Sequence, residues 1–235
     1  NTIYAGSAAD TIYGGTGEDS IFGEEGNDYI FASAGADIID GGANSDLVDY
    51  SSSSTGINLT LLDSGATVNV SHNIGGVASD SLTNIEGIKG STTASNTLIG
   101  NNMNNTLIGG NQTDTIKGVS GNNSLSGGAG TNYLDGGAGI NKVDYSRANN
   151  NVTVDLNKTG IQEVYLDGST TAKDTLKNIQ NVIGSNNKDI IAGNSQNNSL
   201  FGGLGDDTFI GSGGDDILNG GDGIDVVSYA SATEN

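Results

Sequence analysis

A large apolar residue returns at every ninth position through most of this chain. Ile3, Ile12, Ile21, Ile30, Ile39 and Val48 keep one run of the phase, and Leu98, Leu107, Ile116, Leu125, Leu134 and Val143 keep a second. Ile191, Leu200, Phe209, Leu218 and Val227 keep a third. Helical periodicity is weak throughout, and a disordered linker has no reason to hold an apolar residue at every ninth place. The chain is therefore expected to be a stack of short, identical steps.

Two residues before each apolar position stands an aspartate or an asparagine. The first array has Asp10, Asp19, Asp28, Asp37 and Asp46 there, with Asn1 as the tail of an earlier unit. The second has Asn96, Asn105, Asp114, Asn123, Asn132 and Asn141; the third has Asp189, Asn198, Asp207, Asp216 and Asp225. The residues leading to these positions are rich in glycine, as in Gly14-Gly15-Thr16-Gly17-Glu18-Asp19 and Gly23-Glu24-Glu25-Gly26-Asn27-Asp28. Gly202, Gly203 and Gly205, and Gly220, Gly221 and Gly223, repeat the pattern near the other end. The unit reads G-G-x-G-x-D-x-U-x, with U a large apolar residue, and it resembles the calcium-binding nonapeptide of RTX (hemolysin-type) proteins.

That resemblance implies an all-β fold, a parallel β-roll or β-solenoid in which six residues of each unit turn and three extend. Two units would make one coil of eighteen residues, with coils about 4.8 Å apart. Asp10 would stack on Asp28, Asp28 on Asp46, Asp19 on Asp37, Asp189 on Asp207 and Asp207 on Asp225. Calcium takes roughly 6–8 oxygens, which stacked loops can offer as carbonyls and carboxylates. The implied metal ligands are Asp10, Asp19, Asp28, Asp37, Asp46, Asp114, Asp189, Asp207, Asp216 and Asp225. With them go the loop glycines Gly14, Gly15, Gly17, Gly23, Gly202, Gly203, Gly205, Gly220, Gly221 and Gly223. The Asn-rich second array is expected to be poor in metal, its stacked amides hydrogen-bonding instead.

Composition points the same way. Leu, Ile, Val and Phe together number 53 of 235 residues, and 28 acidic against 8 basic residues leave a formal charge of −20. So thin a core, carrying that charge and 39 glycines, is poorly placed to fold unaided. Divalent cations would both neutralise charge and tie the loops. No cysteine or proline is present to stabilise the chain by other means, and the lack of thiols fits a chain exported unfolded. Strong acidity argues against nucleic acid and anionic membrane as partners. No apolar stretch is long enough to span a bilayer and no signal peptide is seen. Since the chain begins and ends within repeats, it is expected to be an excerpt from a longer protein.

The arrays are expected at 1–49, 91–144 and 184–228, with β-rich spacers at 50–90 and 145–183 and the start of a further spacer at 229–235. Asp80-Ser81-Leu82-Thr83-Asn84-Ile85 in the first spacer matches Asp174-Thr175-Leu176-Lys177-Asn178-Ile179 in the second. A larger period of about 95 residues is thus laid over the nonapeptide. Ile57, Leu59 and Leu61, then Val68 and Val70, then Val152, Val154 and Leu156 alternate as strands do. The stretch Leu176–Ile183 is short enough to pass for a helix, but its β-branched content favours strand.

Catalytic chemistry has little to stand on. His72 is the single histidine and reads as a surface residue of the spacer. Without cysteine or further histidines there is no zinc site or Cys/His dyad, and neither a P-loop nor an EF-hand loop occurs. The expectation is a non-enzymatic, calcium-binding folding module of a large secreted or cell-surface bacterial protein of adhesin, surface-layer or toxin type. The resemblance implies export by type I secretion, folding at the millimolar calcium outside the cell, and cell-surface or matrix components as partners. The alternative is an accessory module of a secreted metalloprotease, lipase or alginate epimerase.

Overall fold

The computed structural model describes residues 1–158, 162–166 and 173–229, with 162–166 and 173 as backbone only. The expected start of a further spacer falls, beyond Tyr229, outside the described residues. All regular structure among the described residues is β-strand, most of it three to six residues long and paired in parallel. No helix is long and apolar enough to cross a membrane. The chain is a parallel β-roll.

Its pitch follows from the nonapeptide. Within the arrays, each strand pairs with the strand eighteen residues on, as Ile12 with Ile30, Ile30 with Val48, Leu107 with Leu125 and Ile191 with Phe209. Successive nonapeptides therefore fall on opposite walls. One wall is an unbroken ten-stranded sheet running from Thr11–Tyr13 to Ile217–Asp222. The opposite wall comprises a five-stranded sheet followed by a second ten-stranded one.

In a three-residue strand only the middle side chain can point inward, which is why one apolar residue per nine suffices. The phase residues fill the space between the walls and are buried, except Ile3 and Leu218, which are partly covered, and Val227, 44% exposed on the last described coil.

The spacers are coils of the same roll with insertions. Gly87–Lys89 and Asn181–Ile183 each take a place in the unbroken sheet, between Leu47–Asp49 and Thr106–Gly110 and between Lys142–Asp144 and Ser199–Leu204. Leu176–Ile183 is strand, turn and strand, with no helix. On the other wall, Val77–Thr83 pairs in parallel with Ile38–Asp40 and turns back as an antiparallel hairpin with Thr67–Asn73.

His72 is not at the surface. It lies on the same hairpin strand as Val70, two residues on, so alternation carries both to the inner face, and it is 1% exposed. Its burial is offset at one ring nitrogen by Asp80 across the hairpin, whose Oδ1 lies 3.1 Å from Nε2, while Nδ1 is buried without a partner. A polar residue can replace an apolar one on an inward face when such a partner is in reach.

Candidate metal centre

The stacked aspartates form a ladder. Except in Asp10 and in Asp189, which accepts from Val152 N–H, Oδ1 accepts the backbone N–H of the residue eighteen positions earlier: Asp28 from Asp10 at 2.8 Å, Asp46 from Asp28 at 2.8 Å and Asp37 from Asp19 at 2.9 Å. At the other end Asp207 accepts from Asp189, Asp225 from Asp207 and Asp216 from Asn198. Asp114 sits between Asn96, whose N–H it accepts, and Asn132, to which it donates its own.

The second oxygen divides the aspartates into two groups. Oδ2 of Asp10, Asp19, Asp28, Asp46 and Asp207 is buried with no hydrogen-bond partner. In four others it is occupied. Asp37 accepts the Ser33 hydroxyl at 2.8 Å, Asp216 the Ser212 hydroxyl at 3.1 Å, Asp114 the Gly110 N–H at 2.7 Å and Asp189 the Ser185 N–H at 2.5 Å. A buried carboxylate oxygen without a donor is costly, so the five bare ones call for a cation.

The glycines make room for it. A Cβ on Gly14 would lie 2.8 Å from Asp19 Oδ2, and one on Gly202 would meet both Asp207 Oδ2 and the Gly220 carbonyl. Gly23 faces Asp28 Oδ2 and the Gly41 carbonyl in the same way, and Gly220 faces Asp225 Oδ2. The first glycine of these loops thus opens a cradle floored by a carboxylate and, at Gly23 and Gly202, by the next coil's carbonyl, while at Gly14 the next coil presents the Ser33 hydroxyl. Gly15, Gly17, Gly203, Gly205, Gly221 and Gly223 have φ between 96° and 141°, which turns the loop back over that space. Three or more carboxylates or imidazoles converge nowhere among the described residues. The donor set is therefore mostly backbone oxygen with one carboxylate per loop, the hard-oxygen chemistry that suits calcium.

Burial raises four of the array carboxyls above their ordinary range. It pushes Asp46 up to about 7 against the hydrogen bond from Asp28 N–H, with the charges of Asp28, Glu86 and Asp40 adding to the rise. Burial likewise raises Asp207, Asp189 and Asp114, each against its own hydrogen bonds.

In the second array the amides close the cradles themselves. Asn123 keeps the ladder through its N–H to Asn141 Oδ1, while its Nδ2 donates to the carbonyls of Ser120, Gly121 and Gly136 at 3.0–3.2 Å. Asn96 Nδ2 donates to the Ser91 and Ala94 carbonyls. An N–H thus satisfies the carbonyls that bare carboxylates leave open in the other arrays.

The spacers carry ladder residues that a nine-residue count passes over. Asp80 accepts from Asp37 N–H and Asp174 from Asn132 N–H on one wall; Glu86 accepts from Asp46 N–H and Gln180 from Asn141 N–H on the other. Each stands two residues before an inward aliphatic, at Leu82, Leu176, Ile88 and Val182. That D-x-U phase was the available signal, compressed from nine residues to six.

Residues 1–30, 13–48, 91–118, 108–143, 183–218 and 192–227 match the family model described as the RTX calcium-binding nonapeptide repeat (4 copies), together more than half of the chain. The chain belongs to the RTX calcium-binding repeat family. Calcium is accordingly the ion this RTX module takes, and the cradles fit it. No curated protein matches the chain. The RTX matches stop at the spacers, so Asp80, Glu86, Asp174 and Gln180 lie outside them.

Proposed function

We propose that this RTX module is a non-catalytic, calcium-dependent folding unit of a secreted or cell-surface protein of adhesin, surface-layer or toxin type. The observation that carries the reading is the set of five buried, partnerless Oδ2 atoms, four of them, at Asp19, Asp28, Asp46 and Asp207, seated over glycine cradles. Bound calcium supplies the positive charge that the stacked carboxylates lack. Asp10, Asp19, Asp28 and Asp46 in the first array, and Asp207 with Asp225 in the third, are the carboxylates assigned to ions. Asp37, Asp114, Asp189 and Asp216 already have a donor on each oxygen, and the amides of the second array hold its loops without metal.

A chain of charge −20 stays expanded where calcium is scarce and closes coil on coil where it is plentiful. That behaviour suits export in the unfolded state, followed by folding outside. The proposed units are arrays at 1–49, 91–144 and 184–228, joined by spacers that continue the same roll. Circular dichroism of the chain in chelator should show little β structure, and millimolar calcium should restore it. Magnesium should do so poorly, because it demands a smaller, near-octahedral shell and holds its water. A cooperative melt that is the same in chelator and in calcium would overturn the reading.

A further inference from the structure

The cradle geometry does not stop where the first array stops. Over Gly41 the next coil belongs to the spacer, and the carbonyl that closes the space is that of Asn84 instead of a glycine. Asn84 supplies it from a left-handed φ of 52°, a conformation that the array glycines supplying the same carbonyl, Gly41 and Gly220, do not adopt. A Cβ on Gly41 would also lie 2.6 Å from Asp46 Oδ2. Asp46 is 1% exposed and this oxygen has no partner. Glu86, 6% exposed, takes the ladder position beside it, Oε2 accepting Asp46 N–H at 3.1 Å. The Asp46 carboxylate and the Asn84 carbonyl therefore face a space from which side chains are excluded, a second carboxylate holds the adjoining ladder position, and no donor reaches Asp46 Oδ2.

The second spacer has the same backbone with different chemistry. Over Gly136 the closing carbonyl is that of Asn178, whose φ is 54°. Asn141 stands where Asp46 does, donating its N–H to Gln180 Oε1 at 2.7 Å. Its Nδ2 then donates to the Asn178 carbonyl at 3.1 Å. Both acids have become amides together, and an N–H bridges the side chain and the carbonyl that at the first junction are both acceptors. Amide exchange at both positions, with the αL asparagine kept, is what replacing a bound cation by a hydrogen bond requires.

We infer that the junction between the first array and the first spacer holds a calcium-class divalent cation at Asp46, the Asn84 carbonyl and Glu86, and that the second junction has replaced it with the Asn141 amide. The inference rests on the reading of the loops as calcium sites and extends it to residues outside the matched repeats.

Calorimetric titration of the whole chain with calcium tests it. Glu86→Gln should remove one ion from the count or weaken one at least tenfold, with the circular dichroism at saturating calcium unchanged. Asp28→Asn, inside a matched repeat, serves as the control. An unaltered isotherm for Glu86→Gln alongside an altered one for Asp28→Asn overturns the junction site and leaves the repeats standing. Two unaltered isotherms overturn both readings. Should Glu86→Gln fail to fold, the double variant Asn141→Asp/Gln180→Glu decides: one added ion supports the junction site, and an unchanged count overturns it.

Discussion

Tyr50 donates its hydroxyl to Asp80 Oδ2 at 2.9 Å, and Tyr145 does the same to Asp174 Oδ2 at 3.1 Å. Both aspartates keep their ladder bond through Oδ1, from Asp37 N–H and Asn132 N–H. The oxygen that Asp28 leaves bare is thus given a donor from a buried ring at each spacer. The roll ends a run of loops on this wall with a covalently attached hydroxyl instead of an ion.

Tyr50→Phe should destabilise the folded chain by about 1–3 kcal/mol, the cost of a buried charged acceptor losing its donor. The ring itself still packs against the core, so the loss reports the hydroxyl. Urea unfolding at saturating calcium measures it, and Tyr145→Phe should behave alike because Asp174 is as buried as Asp80. An unchanged midpoint in both would show that these hydroxyls contribute nothing.

Asn132→Asp restores the repeat's aspartate, but the structure sets a cost on it. Asn132 Nδ2 donates to Asp174 Oδ1 at 2.9 Å, and Asp114 Oδ2 already accepts Gly110 N–H. The variant exchanges that donor for a second carboxylate beside a buried one, so the fold at the lowest calcium that supports it should be weaker by roughly 1–3 kcal/mol. Its melting temperature should then rise more steeply with calcium than that of the parent. Equal calcium dependence of the two melting curves would show that no ion enters this loop.

The roll was legible because its signal is local. A three-residue strand has one inward side chain, so the ninth-residue phase from Ile12 to Phe209 reads directly as core and the loops as glycine turns. The eighteen-residue offset then placed Asp28 on Asp10 without further information. What stayed hidden depends on partners distant in sequence. His72 reads as a surface residue until Asp80 is set across the hairpin from it. Glu86 and Asp80 follow the D-x-U phase, yet six residues apart, so a nonapeptide count steps over them. The satisfied state of Asp37 and Asp216 depends on Ser33 and Ser212, serines within their own loops that composition does not distinguish from the many others.

Glycines with different constraints should respond differently to alanine. Gly23 is confined by Asp28 Oδ2 and by the Gly41 carbonyl, a backbone atom that cannot swing aside. Gly65 has a φ of 80° with nothing within 4 Å of its Cβ position. Gly65→Ala should therefore cost only backbone strain, about 1 kcal/mol. Gly23→Ala should cost more, roughly 1–3 kcal/mol from overpacking, and should weaken calcium binding at Asp28 as well. Thermal melts with a calcium titration separate the two, and equal effects on stability and affinity would contradict the cradle.

Acid should favour the calcium-free roll. Burial raises Asp46 to about 7 and Asp174 to about 6, and it also raises Asp80, Asp114, Asp189, Asp207 and Glu86. A carboxyl whose folded-state pKa lies above its unfolded value penalises folding fully at high pH. The penalty is relieved as pH falls through the folded value and is gone below the unfolded one. Two groups act in the opposite sense. Burial raises Asp135, but the hydrogen bonds from Lys177, Asn178 and Gly137 N–H outweigh it, and Asp49 is likewise held low by Ser51, Tyr29 and Lys89. Their contribution is present above the unfolded value and lost only as pH falls through their lowered ones, beneath the ordinary carboxylate range. Between pH 8 and pH 5 the raised groups therefore dominate, and the β signal in chelator should grow on acidification. At saturating calcium the trend should reverse, because protons and calcium compete for the same oxygens. Circular dichroism across that range with and without chelator measures both slopes, and a chelated chain that loses β structure on acidification would show that the raised carboxyls do not govern folding.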